Sequence, residues 1–209
     1  SETQREYLLK YADKEIDPAK KEAMKDEAIR YTSLYPFTAK CIAIGMYDIE
    51  KEKSYVYYES DKLEEWNSEN TNVQYKGLPE KDMLESFWRV AQYADQLITF
   101  NGRNFDVPFM MMRSAMLKVK PTKNLMGYRY GDIHIDLLEQ FTFYSTTRKF
   151  NLDFYCHAFG IESPKSKDIS GMEVKTLYEA GRIKDIAVYC SKDIYATYQL
   201  FKIWEEFLK

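Results

Sequence analysis

The sequence predicts an α/β fold in which a mixed β-sheet is flanked by helices. Three observations lead there. Strand-like runs come first as a meander, at residues 39–47 (AKCIAIGMY) and 54–58 (SYVYY), and later ones alternate with helical segments. Hydrophobic residues make up 45% of the 209, with 16% aromatic, which supplies a sizeable core in a chain the size of one ordinary domain. The last stretch carries an apolar stripe at helical spacing over about seven turns.

Taken in order, residues 3–31 read as helix. Tyr7, Leu8, Tyr11, Ile16, Met24 and Ile29 sit among dense charges, and Asp17-Pro18 breaks the run in two. This stretch is more charged than the rest of the chain, so a helical N-terminal arm is expected over residues 1–35 and the main domain over 36–209. Residues 39–47 have the low charge of a buried strand, DIEKEK supplies a turn, and 54–58 return as the second strand of a hairpin. Residues 80–94 place Met83, Leu84, Phe87, Val90 and Ala91 at helical spacing. QLITF at 96–100 is the next strand and 109–117 the next helix. After a basic loop, GDIHID at 131–136 reads as a strand ending in a cap. Helices come next at 137–144 and at 151–159, the latter closed by Gly160. The terminal helix runs from about 183 to 208, with its stripe through Ile183, Ile186, Ala187, Cys190, Ile194, Thr197, Phe201 and Trp204.

The formal net charge is −3, which argues against a protein that coats nucleic acid non-specifically. It leaves room for an enzyme that grips a few nucleotides at a carboxylate-rich metal site, where bound cations reverse the local sign. Cys41, Cys156 and Cys190 are scattered with no CxxC pair, so zinc-ribbon and disulfide-scaffold readings are poor. Two histidines, His134 and His157, give little material for a His-based metal site or a Ser-His-Asp triad. No apolar run approaches the roughly 18–20 residues of a membrane span, and the first residues lack a secretory core. A soluble, cytoplasmic protein is the expectation.

Two segments hold carboxylates suited to chemistry. In FNGRNFDVPFMMMR (100–113) a strand runs into a loop and Pro108 sits in a first helical turn, so Asp106 lies at or just before a helix N-terminus. On its own this Asp reads more simply as a helix cap. In DIAVYCSKDIYATYQLF (185–201), Tyr189 and Asp193 are four apart and share a helix face beside the apolar stripe. An acid near the buried side needs a partner, which a metal ion would supply; a plain Tyr–Asp contact on an amphipathic helix is the simpler alternative.

Together, the order strand–NGxxFD–helix and then a terminal helix bearing YxxxD resembles the second and third motifs of the DEDDy 3′→5′ exonucleases. The likeness is greatest to stand-alone bacterial exonucleases related to the proofreading domain of family B DNA polymerases. AKCIAIGMY, FNLDFYCHAFGI, SPKSKDISG and AGRIKDIAVYCSKD agree with it, and it runs from about residue 36 to the C-terminus. The resemblance implies a ribonuclease-H-like fold and two-metal phosphodiester hydrolysis with Mg²⁺ or Mn²⁺, two ions. It implies that Asp106 holds one metal, through water, that Asp193 ligates the other directly, and that Tyr189 orients the attacking water. Phe105, by stacking, and Asn101, by a hydrogen bond, would touch the terminal nucleotide. The implied partner is a single-stranded DNA 3′ end, with RNA left open, and the implied role is repair, turnover or proofreading in trans.

The family's first motif, Asp-x-Glu on an opening strand, has no counterpart ahead of residue 39. Asp48-Ile49-Glu50 has the right letters but is expected in an exposed turn. The sequence is then a fragment of a longer chain, lacks its first residues, or belongs to a degenerate relative that binds nucleic acid or builds complexes without catalysis. Asp136, with Glu139 three residues on, has the pattern of a capping box. His134 is expected in a structural or substrate-edge role, and His157 in packing or at the surface. Arg113, Lys118, Lys120, Lys123 and Arg129, with Arg148, Lys149, Lys165 and Lys167 beyond, form either a solvated loop or a phosphate track. Met110–Met112 read as core filler.

Overall fold

A computed structural model describes residues 2–164 and 174–209. The SPKSKDISG stretch beyond Pro164, with Lys165 and Lys167, lies outside them. The chain divides into two compact units, Ser1–Lys40 and Cys41–Lys209.

The first unit contains α1 (Glu2–Leu9) and α2 (Pro18–Tyr31). The break falls where Asp17-Pro18 places it. Asp17 accepts hydrogen bonds from the backbone N–H groups of Ala19 (2.9 Å) and Lys20 (3.1 Å), and Pro18 takes the first helical position, where its missing N–H costs nothing.

The second unit opens with β1 (Ala43–Asp48) and β2 (Lys53–Glu59), an antiparallel hairpin. Two further strands come after it, β3 (Glu64–Asn67) and β4 (Val73–Leu78). β4 pairs parallel to β2 and antiparallel to β3, so the sheet is mixed, in the order β1-β2-β4-β3. Next come α3 (Glu80–Ala91), β5 (Leu97–Thr99), α4 (Asp106–Met116) and β6 (His134–Asp136). β5 and β6 pair in parallel as a separate two-stranded sheet with α4 between them in sequence. The chain ends with α5 (Leu137–Phe141), α6 (Leu152–Ala158), α7 (Val174–Glu179) and α8 (Ile183–Phe207). None of the described helices is long and apolar enough to cross a membrane.

The helix α8 organises this unit. It packs on β1, β2 and β5, and on α5, α6 and α7. Its Ile183, Ala187, Cys190 and Ile194 face Val56, Tyr58 and Tyr75 of the sheet, and its Leu200, Phe201 and Trp204 join Leu137, Leu138 and Phe141. Contact with β1 is close because Gly45 has no side chain: a Cβ there would stand 2.8 Å from Cys190 Sγ and 2.9 Å from Ile194 Cγ2. The expected stripe on α8 is therefore recovered, with Ser191 and Ala196 buried beside it. On α3 the structure corrects the expected face. Val90 is exposed, and Trp88 is buried in its place, its indole N–H donating to Ser114 Oγ of α4 at 2.8 Å. Met110 and Met111 pack against the core beneath α3, while Met112 is exposed.

Candidate active site

The NGRNFD segment begins where β5 ends and is shaped by one buried acid. Asp136 Oδ1 accepts the backbone N–H of Asn101 at 2.8 Å and that of Leu138 at 3.0 Å, and its Oδ2 accepts that of Arg103 at 2.9 Å. The Leu138 bond caps α5, so Asp136 is the helix cap the sequence suggests, but the Glu139 carboxylate goes to Arg103 and Arg129 and not into the return bond that a capping box requires. The other two bonds fasten the loop that leads to Asp106. Asn101 adopts a left-handed backbone (φ 62°), which asparagine tolerates better than most residues, and a Cβ on Gly102 would collide with the Thr99 side chain. The Gly102 carbonyl accepts from Val107 N–H at 2.9 Å, so the loop turns directly into α4.

Asp106 is the first residue of α4, and the N-cap position belongs to Phe105, which makes no side-chain capping bond. The helix-cap reading of Asp106 therefore does not hold. Asp106 is exposed to solvent, yet the protein packed around its carboxyl pushes its pKa up, to about 6. Burial is the main cause; its own backbone N–H opposes it and the Asp136 charge adds to it. Asp193, mid-way along α8, is pushed up to about 7 by burial, with the Tyr189 hydroxyl hydrogen bond pulling down and the Asp106 charge pushing up. The Tyr189 hydroxyl is itself raised, by burial first and then by the Asp193 carboxylate that it hydrogen-bonds.

The structure thus brings Asp106, Asp193 and Tyr189 together: one acid from the start of α4, the other from α8, close enough to repel. Asn101 Oδ1 accepts from Asn104 Nδ2 at 3.1 Å, and Phe105 stands half-exposed with its ring 5.9 Å from that of Phe109. Asp153 of α6 also lies within electrostatic reach of Tyr189, and its carboxylate accepts from Ser163 Oγ at 2.5 Å. Among the described residues no cluster of three or more His, Cys, Asp or Glu side chains is arranged to hold a metal.

Other candidates resolve by geometry. Asp48 is the last residue of β1 and leads into the turn that holds the exposed Ile49 and Glu50, with its carboxylate bound to Lys51 Nζ (2.7 Å) and Lys51 N–H (3.1 Å) and its pKa lowered chiefly by Lys51. His134 is buried and structural: Nδ1 meets Leu125 O at 3.0 Å and Nε2 meets Thr99 Oγ1 at 2.8 Å. His157 is exposed, with Nε2 3.4 Å from Asp153 Oδ1. The basic track is thinned. Arg113 makes a two-pronged ion pair with Glu80 at 2.7 and 2.6 Å, Lys123 Nζ binds the Ala94 carbonyl, and Arg129 is paired with Glu139 at 2.6 Å. Lys118, Lys120, Arg148 and Lys149 remain exposed.

Sequence reasoning missed the network behind the loop. Arg103 is buried; its guanidinium donates to the carbonyls of Tyr128 (3.1 Å) and Gly127 (3.4 Å), and its Nε lies 3.9 Å from Glu139 Oε2. The capping-box letters drew Glu139 toward helix capping, whereas its carboxylate joins Arg103 and Arg129.

Comparison with known proteins bears on the family. The family model for a predicted 3′–5′ exonuclease related to the exonuclease domain of PolB matches residues 37–207. A DNA polymerase from Desulfurococcus sp. (strain Tok) is 34% identical over 141 residues, 59% of this chain and 18% of its own length. DNA polymerases from Thermococcus sp. (strain GE8) and Thermococcus gorgonarius are 33% and 32% identical over 145 residues, again 59% of this chain but 8% and 18% of theirs. The chain spans less than a fifth of the length of these curated relatives. With its mixed sheet flanked by helices in a ribonuclease-H-like fold, and a family match over most of its length, the chain belongs to the family of predicted 3′–5′ exonucleases related to the exonuclease domain of PolB.

Proposed function

We propose that this domain removes nucleotides from the 3′ end of single-stranded DNA by metal-dependent phosphodiester hydrolysis. The observation that carries the reading is the approach of Asp106 and Asp193, from separate elements, with the Tyr189 hydroxyl bound to the second acid. Two acids pushed toward neutrality, Asp193 by burial and the Asp106 charge and Asp106 by the protein around it and the Asp136 charge, are suited to a cation that would restore their charge. The donor set is all oxygen, which suits Mg²⁺ or Mn²⁺, and Mg²⁺ is commonly held by one or two carboxylates together with water and substrate phosphate.

In this reading Asp193 would hold one of two ions and Asp106 the other. Bound there, the ions would polarise the scissile phosphate and stabilise the attacking and leaving oxygens. The rest falls to the chain's own groups. Tyr189 donates its hydroxyl to Asp193 and can orient a water beside it. Phe105 offers a ring to the terminal base, and Asn101 an amide to the nucleotide. Asp136, behind them, keeps the loop in place.

A second reading has its own support: the two acids gather no third among the described residues. A domain that retained the fold and bound nucleic acid without cleaving it would look the same. Mn²⁺-dependent shortening of a 5′-labelled oligonucleotide separates the two. Wild type is expected to shorten it and Asp193→Ala to abolish the reaction with the fold largely intact. Undiminished activity in the variant would refute the assignment of Asp193, and an inert wild type would favour the binding-only domain.

A further inference from the structure

Beside the site loop lies a surface that the acids do not explain. Tyr128 is 77% exposed and Tyr130 56%, and they are clustered, not scattered. They form a chain with Tyr144: Tyr128 meets Tyr130 edge-to-face at 5.7 Å, and Tyr130 meets Tyr144 at 4.7 Å. Edge-to-face packing leaves flat faces open to a further planar partner. The Arg129 guanidinium lies 5.8 Å from the Tyr144 ring centre.

This ledge is fastened to the site loop. Arg103, two residues past Asn101, donates to the Tyr128 carbonyl, and Glu139 holds both Arg103 and Arg129. Its other side is built on three consecutive non-glycine residues with left-handed backbone, Phe143 (φ 46°), Tyr144 (56°) and Ser145 (74°). Each is disfavoured, and such runs persist only where the surroundings dictate them. Here the Tyr144 N–H donates to the Glu139 carbonyl at 2.7 Å, the Ser145 N–H donates to Thr142 Oγ1 at 3.2 Å, and Gln140 Nε2 donates to the Tyr144 hydroxyl at 3.1 Å. The strain fixes the Tyr144 ring under Tyr130.

The segments that build the ledge are rich in cations. Of the seven Lys and Arg in residues 113–131 and 140–152, Arg113 and Arg129 are paired with Glu80 and Glu139, and Lys123 is bound to the Ala94 carbonyl. Lys118, Lys120, Arg148 and Lys149 are exposed, with Asp132 the exposed acid next to the ledge in sequence. Aromatic faces flanked by cations are the combination that binds a single-stranded polyanion carrying stacked bases.

We propose that the Tyr128–Tyr130–Tyr144 ledge seats the bases of a single-stranded nucleic acid upstream of the nucleotide at Phe105 and Asn101, with Arg148 and Lys149 on its phosphates. The proposal rests on the exonuclease reading for the direction of the strand. The binding itself is independent of hydrolysis and can be tested apart from it.

The test is fluorescence anisotropy of 5′-fluorescein-(dT)15 with the full chain in EDTA. Tyr128→Ala/Tyr130→Ala is expected to bind about tenfold or more weakly, the order of one lost base stack, and Tyr128→Phe/Tyr130→Phe within about twofold of wild type. Far-UV circular dichroism and the urea midpoint should match wild type in both. Undetectable binding by wild type, equal binding by the Ala pair, or a Phe pair as weak as the Ala pair would each overturn the ledge. So would tyrosine-dependent binding to phosphatidylserine vesicles with (dT)15 binding unaffected, which would make the surface a membrane contact. Should the Ala pair lose (dT)15 while wild type fails to shorten it in Mn²⁺, the ledge stands and the exonuclease reading falls. The converse pattern, shortening with equal binding by both, removes the ledge alone.

Discussion

Asp193 is raised by burial to about 7, far above the roughly 3.9 of an unfolded aspartate, whereas the exposed Asp106 is screened by water and adds little to the pH dependence of stability. The sign of the consequence comes from linkage. The folded state holds a proton that the unfolded state has released, so this contribution to stability is complete below about pH 4 and is lost as pH rises through about 7. In EDTA the melting temperature should therefore fall between about pH 4 and pH 7 and level off above that, by about 2–4 °C for each kcal/mol lost in a chain of this size. Asp193→Asn should flatten much of that fall, and Mn²⁺ at pH 8 should raise the melting temperature of wild type more than that of the variant. Equally flat profiles would show that the Asp193 carboxyl is well hydrated. Tyr189 acts on the same acid. Tyr189→Phe removes the hydroxyl that lowers the Asp193 pKa, so hydrolysis should slow roughly 100-fold without ending, and its acidic limb should move to higher pH. An unchanged rate would mean that the hydroxyl positions nothing. The local patterns place Asp106 at a helix start and Tyr189 with Asp193 on one face of α8, which the structure shows. Each pattern alone reads as a cap or a plain Tyr–Asp contact, and only their order, resembling the exonuclease motifs, singles the three residues out. The partner of Arg113 was not legible in sequence, since Glu80 lies 33 positions away and no periodicity reports it.

The loop ahead of α4 depends on an element distant in sequence. Asp136 ends β6, and its two oxygens collect three backbone N–H groups, two of them from the loop. Hydrogen bonds to a charged group contribute about 1.5–3 kcal/mol each, so Asp136→Ala, which strips all three, should destabilise the protein by roughly 3 kcal/mol or more in urea unfolding. A cost below about 1 kcal/mol would mean that water replaces the carboxylate and the loop is held by other means. As a cap, Asp136 was readable from its neighbours Leu137 to Glu139. As the fastening of the site loop, it needed the parallel pairing of β5 with β6, which brings Asp136 opposite Thr99. Short elements were the hardest to read. β3 is four residues with two glutamates, and α7 is six residues with Leu177 as its buried side chain. β4 alternates Val73 and Tyr75 inward with Gln74 and Lys76 outward, but for too few residues to stand out from chance. Val90 and Trp88 on α3 exchanged their expected places because a partner for the indole N–H, Ser114, lies on another helix.

At the scale of the molecule, α8 joins two sheets that share no strand. β1 ends one sheet and β5 ends the other. Along the outer side of each, the described residues offer no ladder of backbone hydrogen bonds. That architecture was foreseeable only in outline. Alternating strands and helices announce an α/β layout, whereas the separation into four strands and two depends on which edges meet, a property of pairing rather than of any one segment.

An open flank on a strand behaves as an adhesive seam, because amide and carbonyl groups that face water can be capped at little cost by any extended polypeptide laid alongside. The six residues of β1 give such a seam real length, and Lys53, across the hairpin, lies on the paired side where it cannot repel an intruder. These 209 residues handled alone should therefore stick to themselves as concentration rises, with sedimentation velocity reporting larger species and a proline in place of Ala43, whose N–H faces the open side of β1, suppressing them. Sedimentation that stays monomeric into the hundred-micromolar range would show that the flank is shielded after all.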